Sequence, residues 1–515
     1  MSVRYPARLW TAFCSALRAP ARHCECLPAT AHVPARVRGQ KEEHPLHKLL
    51  PTAVLLLAGS LAGCAFQQEG ALRDQLGREA AALGLEDRAS ASEGRVVTDT
   101  LTGDPSLQDC LTYAALHSPR LRKAFYEWQA ALEKTPQARS LPDPKFSYTH
   151  YVREVETRVG PQKNRFALMQ MIPWPEKITS RTDMAVRQAL TAKYLYEAEK
   201  LHLFHRVRQT YAEYYYLGRS LDILRDSMTL LENLEESLRT GYKADIAKDS
   251  DLNRMQVELG KLADRLESLA ALRPARLARL NSILGRKPTA PMDLPESLPV
   301  EEPQLEEAEL LERLTADNPG LRAAREKVRA SLAGERLARA DYFPDFGLSA
   351  GFIETDRRVD ANPEDNGKDP VLVGVEVSLP LWRSKYAAGV REAQARRQAS
   401  EAALEEKADN LAADLRLAFY KYEDAGRKQN LFAKTLVPKA EQVLESARSS
   451  YTAGQAAFAD LIETERDLIE LRLLAERARV DRLIGLSELE MLAGRALREE
   501  SEGAQEAPHI TKGER

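Results

Sequence analysis

The second half of this chain repeats the first half. Asn318-Pro319-Gly320-Leu321-Arg322 mirrors Ser118-Pro119-Arg120-Leu121-Arg122, and Pro344-Asp345-Phe346 mirrors Pro144-Lys145-Phe146, both 200 positions later. Tyr451, Asp460-Leu461 and Gly494-Arg495 mirror Tyr242, Asp251-Leu252 and Gly285-Arg286 at an offset of 209. The modules of solenoid proteins repeat every 20 to 50 residues, roughly, which is far shorter. The duplication therefore predicts one large body made of two equivalent halves.

Composition indicates long helices and excludes some classes of protein. Charged residues make up 29% of the chain and aromatic residues 6%, and Ala, Leu, Glu and Arg dominate residues 178–285 and 385–495, which is typical of coiled coils. A net charge of -3 gives no reason to expect nucleic acid as a partner. After residue 64, no stretch reaches the roughly 18 apolar residues of a membrane-spanning helix. An association with a membrane would therefore need strands or a lipid.

The amino terminus is predicted to be a targeting signal. An apolar segment, residues 49–63, follows Lys48 and ends in Leu61-Ala62-Gly63-Cys64, which resembles a bacterial lipoprotein signal peptide. Cleavage would then precede Cys64, whose thiol would be acylated, for example with palmitate. The alternative is an ordinary secretory signal with an incidental cysteine. Only Cys110 would accompany Cys64 in the mature chain, so no internal disulfide is expected.

Each half is predicted to contain a helix, a strand hairpin, a very long helix, a turn and a long returning helix. The predicted strands cover residues 145–153, 165–172, 346–354 and 371–379. Along the last of these, Val371, Val373, Val375, Val377 and Leu379 share one face, as a lipid-facing barrel strand requires. A soluble antiparallel sheet with one wet face would show a similar alternation. Four strands cannot close a barrel, since about eight is the usual minimum, so a membrane barrel would need several chains.

The helical tracts are unusually long. Residues 178–240 contain no proline, and residues 385–450 contain only Pro438, which should kink or end a helix there. The predicted returning helices, about 251–284 and 460–493, carry heptad pieces such as Leu461-Ile462 followed by Leu468-Ile469. A filament-like or dimeric coiled coil would also contain such helices, but it would not explain the strand hairpins.

Several short motifs occur in the same order in both halves and resemble those of TolC-type outer-membrane efflux proteins, over about residues 106–497. They are Ala115-Leu116-His117-Ser118-Pro119-Arg120-Leu121, Ala316-Asp317-Asn318-Pro319-Gly320-Leu321, Leu141-Pro142-Asp143-Pro144, Gln170-Met171-Ile172-Pro173-Trp174-Pro175-Glu176-Lys177, Ser378-Leu379-Pro380-Leu381-Trp382, and the turns at Tyr242 and Tyr451. The resemblance implies a mainly α protein with transmembrane β-strands. Three copies would close one twelve-stranded β-barrel in the outer membrane of a Gram-negative bacterium, and a periplasmic α-helical coiled-coil tube would continue it.

We predict the following organisation of the chain. Residues 1–63 are a leader and lipoprotein signal peptide, of which 1–40 are an over-extended start, and residues 64–105 are a lipid-anchored linker. The two efflux repeats are residues 106–286 and 305–497, joined by a linker at 287–304, and residues 498–515 are a disordered tail.

The function implied is passive conduction. The family's channels carry substrates across the outer membrane from an inner-membrane pump and a periplasmic adaptor. They work in tripartite efflux or type I secretion systems. The resemblance does not distinguish between drugs, metal ions and polypeptides as substrates. The alternative is a lipid-anchored periplasmic coiled-coil protein with a structural or adaptor role.

The sequence contains no phosphate loop and no nucleophile elbow, so we expect no enzyme and no cofactor. His202 and His205 share a helix face without a third ligand, so we expect no metal site.

The candidate site residues lie in the two far turns. Asp251 and Asp460 stand where the returning helices begin, where a carboxylate stabilises the positive end of the helix dipole. The resemblance implies that these turns form the periplasmic tip, where the adaptor docks and the pore narrows. Three copies would then form a ring of six carboxylates, a gate that favours cations. Gly454 follows the tyrosine of the second turn, whereas the first turn has Asp245 there, so the second turn fits the family pattern better.

Overall fold

A computed structural model describes residues 67–83, 101, 103–243, 248–299 and 303–497. All of these residues belong to the compact unit Leu57–Arg515. Cys64, Asp245, the predicted leader and the predicted tail lie outside the described residues.

The first half contains six helices and two strands among the described residues. They are α1 (67–82), α2 (Leu107–His117), α3 (Pro119–Leu132), α4 (Lys134–Arg139), β1 (Lys145–Val155), β2 (Gln162–Ile172), α5 (Pro175–Lys243) and α6 (Asp249–Leu284). Ser106 caps α2 in a capping box with Asp109, and Pro119 occupies the first turn of α3, where its missing N–H costs nothing.

The second half follows the same order from its first short helix onward. Its elements are α7 (Glu307–Asp317), α8 (Pro319–Ala340), β3 (Asp345–Thr355), β4 (Val371–Ser378), α9 (Arg383–Leu431), α10 (Val437–Thr452) and α11 (Phe458–Ala493). All four predicted strands are present, and three of them are longer than predicted.

A π-helical segment, Phe432–Leu436, separates α9 from α10. The sequence predicts a kink or an end at Pro438, but the irregular segment precedes that residue. Pro438 lies in the first turn of α10, and its ring cannot donate an amide hydrogen to the preceding turn. The backbone therefore adjusts before the proline, by a widened turn, and the chain stays helical across it.

Two glycines close the halves in the same way. Gly285 ends α6 and Gly494 ends α11, both in the left-handed conformation. A Cβ on Gly285 would stand 2.7 Å from the backbone oxygen of His117, and one on Gly494 would stand 2.7 Å from that of Asp317. The returning helices α6 and α11 thus end against the backbone of the short helices α2 and α7, respectively. This contact, together with the left-handed conformation, explains why a glycine occupies this position in both halves.

The four strands form one antiparallel sheet in the order β1-β2-β3-β4. Phe346 is opposite Val377 and Leu348 is opposite Val375 in the β3–β4 ladder, while Leu168 is opposite Ala350 in the β2–β3 ladder. The two hairpins, one from each half, are therefore joined through β2 and β3. Within the described residues, β1 and β4 pair on one side only.

The helices bury their apolar faces in separate clusters along their length. One cluster joins α2, α3 and α5 with the end of α6, around Trp128, Tyr214 and Leu284. A second joins α7, α9 and the end of α11, around Leu314 and Leu489. No described helix is both long enough and apolar enough to cross a membrane.

Candidate functional site

One face of the sheet is apolar and exposed across all four strands. Residues directly opposite each other in an antiparallel ladder lie on the same face. One row runs Phe146, Leu168, Ala350, Val373, and the next runs Tyr148, Phe166, Phe352, Val371. Val373 is 84% exposed. An exposed apolar patch of this extent marks a surface that contacts a membrane or a partner.

The opposite face is mostly small or polar. Its rows include Ser147, Ala167 and Gly351, then Ser349 and Gly374. A face of this kind suits the inside of a closed sheet, where side chains meet water or one another.

Aromatic side chains gather where the strands join the long helices. Trp174 stacks on Phe343 with ring centroids 5.0 Å apart, and it also approaches Phe346 at 6.4 Å. Trp382 is 75% exposed, and Leu381 beside it is also exposed. Amphipathic rings in such a position are typical of the boundary between hydrocarbon and water.

The two far turns meet in a single apolar cluster, which we call the tip cluster. It consists of Ile223, Leu224, Leu231, Leu238, Met255, Leu262, Phe458, Ile462, Ile469 and Leu473, with Leu252 and Tyr451 packed against it. The rings of Tyr451 and Phe458 lie 5.6 Å apart. Burial, and then the charge of Asp251, raises the pKa of the Tyr451 hydroxyl. The structure therefore places the turn of the second half beside the start of the returning helix of the first half.

Gly454 forms the second turn. Its φ is +71°, its N–H donates to the Tyr451 oxygen at 3.0 Å, and the N–H of Gln455 donates to the Ser450 oxygen at 2.8 Å. This is the Schellman arrangement that ends a helix on a left-handed residue. A Cβ at position 454 would meet no atom within 4 Å, so only the backbone conformation favours glycine there.

Asp251 and Asp460 both lie in the first turn of their helices. Neither is the N-cap residue: Lys248 precedes α6 and Ala457 precedes α11, and neither cap makes a side-chain hydrogen bond. The two carboxylates are thus placed to stabilise amide groups that lack side-chain caps. Asp460 is exposed and Asp251 is half-buried.

Ion pairs join α6 to α11 beside the tip cluster. Arg466 donates to Glu258 from two nitrogens, Nε at 2.8 Å and Nη2, and Lys261 pairs with the same carboxylate at 3.0 Å. Arg265 pairs with Glu470 at 2.5 Å. The hydrogen bond from Arg466 lowers the pKa of Glu258. The returning helices of the two halves are therefore linked by charge as well as by apolar contact.

One carboxylate at this level is buried. Glu465 is 4% exposed, and its Oε2 atom has no hydrogen-bond partner among the described residues. Burial raises the pKa of Glu465, and Arg472 opposes that effect. Glu465 lines a cavity of about 280 Å³ together with Glu258 and Arg466.

Sequence reasoning did not find these groups. Glu258 and Arg466 are 208 positions apart, and Glu465 lies in a helix rich in exposed acids. The one available signal was the heptad pattern, which places residue 465 on the apolar side, between Leu461 and Leu468. His202 is exposed and His205 is half-buried, with its Nδ1 3.2 Å from the Ser487 Oγ. No group of metal-ligating side chains is present in the described part of the chain.

This combination of a duplicated unit, an apolar-faced sheet and very long helices is similar in fold to solved outer-membrane channels. The model of the outer membrane efflux protein family matches residues 310–495. The outer-membrane channel OprN is similar with a TM-score of 0.65 and 18% identity, over 76% of this chain and 90% of that chain. VceC from Vibrio cholerae is similar with a TM-score of 0.65 and 19% identity, over 76% of this chain and 96% of that chain. The open state of MtrE from Neisseria gonorrhoeae is similar with a TM-score of 0.63 and 18% identity, over 79% of this chain and 94% of that chain.

No curated protein matches the sequence. The resemblance predicted from the repeated motifs is nevertheless confirmed, by the family match in the second half and by the fold of both halves. Outer-membrane efflux proteins are channels and not enzymes.

Replacement of Glu465 by Gln should change how stability depends on pH. A carboxyl group with a raised native pKa stabilises the fold fully below its unfolded pKa, about 4.5, and loses that contribution as pH rises through the native pKa. Glu465→Gln stays neutral, so we expect it to gain stability over the wild type as pH rises. The gain is roughly 1.4 kcal/mol per pH unit between the two pKa values.

The measurement is the thermal unfolding of both proteins between about pH 4 and about pH 8. Glu445→Gln, at an exposed position of α10, is the matched control and should track the wild type. A stability difference between Glu465→Gln and the wild type that stays constant with pH would contradict the raised pKa.

Proposed function

We propose that the chain is one subunit of a trimeric outer-membrane channel, which conducts substrates passively from an inner-membrane pump and a periplasmic adaptor. The observation that carries the proposal is the apolar sheet face, exposed on four strands of 8 to 11 residues. Strands of about 9 to 11 residues cross a bilayer when tilted. The aromatic side chains at the ends of the strands would then lie at the membrane boundary.

Closure of the sheet requires further copies of the chain. Each strand of the sheet is antiparallel to its neighbours, so the strand direction alternates from β1 to β4. The two edge strands, β1 and β4, are therefore antiparallel to each other. The β4 edge of one copy can therefore pair with the β1 edge of the next without a change in strand direction. Three copies would give twelve strands, within the range of membrane barrels, and would leave no free edge.

The long helices suit a tube that continues the barrel. α5 has 69 residues, which corresponds to about 100 Å at 1.5 Å per residue. An anchored coiled-coil protein would also use such helices, but it would leave the apolar sheet face in water. The channel accounts for both features.

Contacts of α1 support a lipid anchor at the same membrane. Arg139, at the end of α4 and just before β1, pairs with the buried Glu69 of α1 at 3.4 Å. Arg73 of α1 pairs with Glu133 at 2.7 Å. The first turn of α1 therefore lies near the strands, and Cys64 is three residues before Gln67, a reach of at most about 11 Å.

An acyl group on Cys64 would thus enter the bilayer that the strands cross. We expect the intact mass of the membrane-purified protein to correspond to a chain that begins at acylated Cys64. A mature chain with an unmodified first residue would contradict the anchor.

The two far turns would form the periplasmic tip. There the chain offers a left-handed turn at Gly454, exposed Asp460 and half-buried Asp251, with the ion pairs of Glu258 and Arg466 beside them. An adaptor would dock on these turns, including the one that contains Asp245, and the carboxylates of three copies would face a narrow opening. The nature of the substrate follows from the pump and not from this chain.

Single-particle imaging of the detergent-solubilised protein tests the assembly. We expect particles with three-fold symmetry, a short barrel, and a tube on the order of 100 Å long. Particles without a barrel would contradict the channel and favour the anchored coiled coil.

Conductance in planar bilayers tests the carboxylate ring. Asp251→Asn with Asp460→Asn should lower the ratio of cation to anion permeability by roughly fivefold, the equivalent of about 1 kcal/mol of lost attraction. Asp226→Asn, at an exposed position of α5 away from the turn, is the matched control and should keep the ratio. If the carboxylates only stabilise their helices, the double variant will unfold at a lower temperature with an unchanged ratio.

A further inference from the structure

A cavity of about 360 Å³ lies where the two halves meet. Its lining includes Arg120 of α3, Glu199, His202 and Arg206 of α5, Gly320 of α8 and Lys407 of α9. It is separate from the tip cluster and from the sheet.

Positive charge in this cavity exceeds negative charge. Glu199 Oε1 pairs with Arg120 Nε at 2.5 Å and with Arg206 Nη2 at 3.2 Å. None of the described carboxylates forms an ion pair with Lys407, and the buried Nε of Arg206 has no hydrogen-bond partner among the described residues. These three cations and one carboxylate carry a net charge of +2, although Arg120 is largely exposed to solvent.

The protein environment opposes these charges. Burial lowers the pKa of Lys407, as does the nearby Lys327, and burial lowers the pKa of Arg206, as does the nearby Arg120. Burial also lowers the pKa of His202, which favours the neutral ring beside these cations. An anion in the cavity would relieve the repulsion between Arg206 and Arg120, offset the burial of Lys407, and supply the acceptor that the Nε of Arg206 lacks.

The backbone adds a donor at the same place. Asn318 caps the N–H of Leu321, and residue 319 is a proline, so the N–H of Gly320 is the first amide of α8. A Cβ at position 320 would stand 3.3 Å from the Nζ of Lys407, so the bare glycine leaves room between this amide and the ammonium group. In the first half the equivalent position is Arg120, and both equivalents line this cavity.

We propose that this cavity binds a phosphate-type oxyanion through Arg206, Lys407, Arg120 and the N–H of Gly320. Guanidinium groups present forked donors that match tetrahedral oxyanions, and an ammonium group together with a helix N-terminus is a common complement to them. Glu199 holds the two arginines in place while leaving their other nitrogens available. The site would join α5 of the first half to α8 and α9 of the second half, and it does not depend on channel activity.

Isothermal titration of the detergent-solubilised full-length protein with sodium phosphate tests the site, with chloride and acetate at matched ionic strength as reference anions. We expect saturable phosphate binding at one site per chain, with weaker or no binding of acetate. Phosphate should also raise the thermal unfolding temperature more than chloride does.

Variants locate the site. Lys407→Gln should weaken phosphate binding roughly tenfold, as expected for the loss of one charged hydrogen bond, and Arg206→Gln with Lys407→Gln should abolish it. Lys407→Arg keeps the charge and should retain binding. Arg391→Gln, at an exposed position of the same helix, is the matched control and should bind phosphate like the wild type.

No saturable phosphate binding by the wild type would overturn the proposal. Binding of acetate as tight as that of phosphate, or equal phosphate affinity in Lys407→Gln and Arg391→Gln, would also overturn it. Circular dichroism of each variant separates a lost fold from a lost site.

Discussion

The sheet carries an exposed apolar face, and its two edge strands are each paired on one side only. In water such a sheet exposes both hydrocarbon surface and unpaired backbone groups, and these are the conditions under which strands join other strands. In the proposed channel, burial of the face in lipid and pairing of the edges with other copies would remove both costs together. The rest of the structure is consistent with this constraint: aromatic residues collect at the ends of the strands, and each hairpin leads directly into a helix far longer than the sheet.

The helical part depends on narrow apolar seams and not on a single core. At the far turns, the tip cluster is flanked by the pairs Glu258–Arg466 and Arg265–Glu470, which connect the returning helices of the two halves. Exposed ion pairs contribute little stability individually. Their value here is positional, because they connect α6 to α11 near the level where the chain would narrow a pore. Buried Glu465 lies beside them, so this end of the bundle contains a titratable group within its packing.

Much of the fold could be predicted from sequence because its signals are local. The strand ending at Ser378 was predicted to within one residue, since its apolar alternation is complete and Pro380 follows it. The start of β2 was predicted three residues late, because Gln162, Lys163 and Asn164 have no apolar alternation. Gln162 and Asn164 belong to the strand through their pairing with β1 and β3. The break near Pro438 was misplaced because a proline disturbs the turn that precedes it. For the candidate site, the sequence placed Asp251 and Asp460 in the first turns of their helices and Gly454 in a turn, whereas the partners around them could not be predicted. The role of these residues at a gate stays a prediction.

The sequence by itself determined the duplication, the order of helices and strands, and the apolar face of the last strand. Each of these depends on residues a few positions apart, through the periods of the helix and the strand. Only the tertiary structure decided which residues of the two halves meet, such as Arg466 with Glu258, or Lys407 with Gly320. The reason is geometric: a shift of one residue turns a helix by about 100°, so contacts between distant helices depend on a packing register that no local pattern contains.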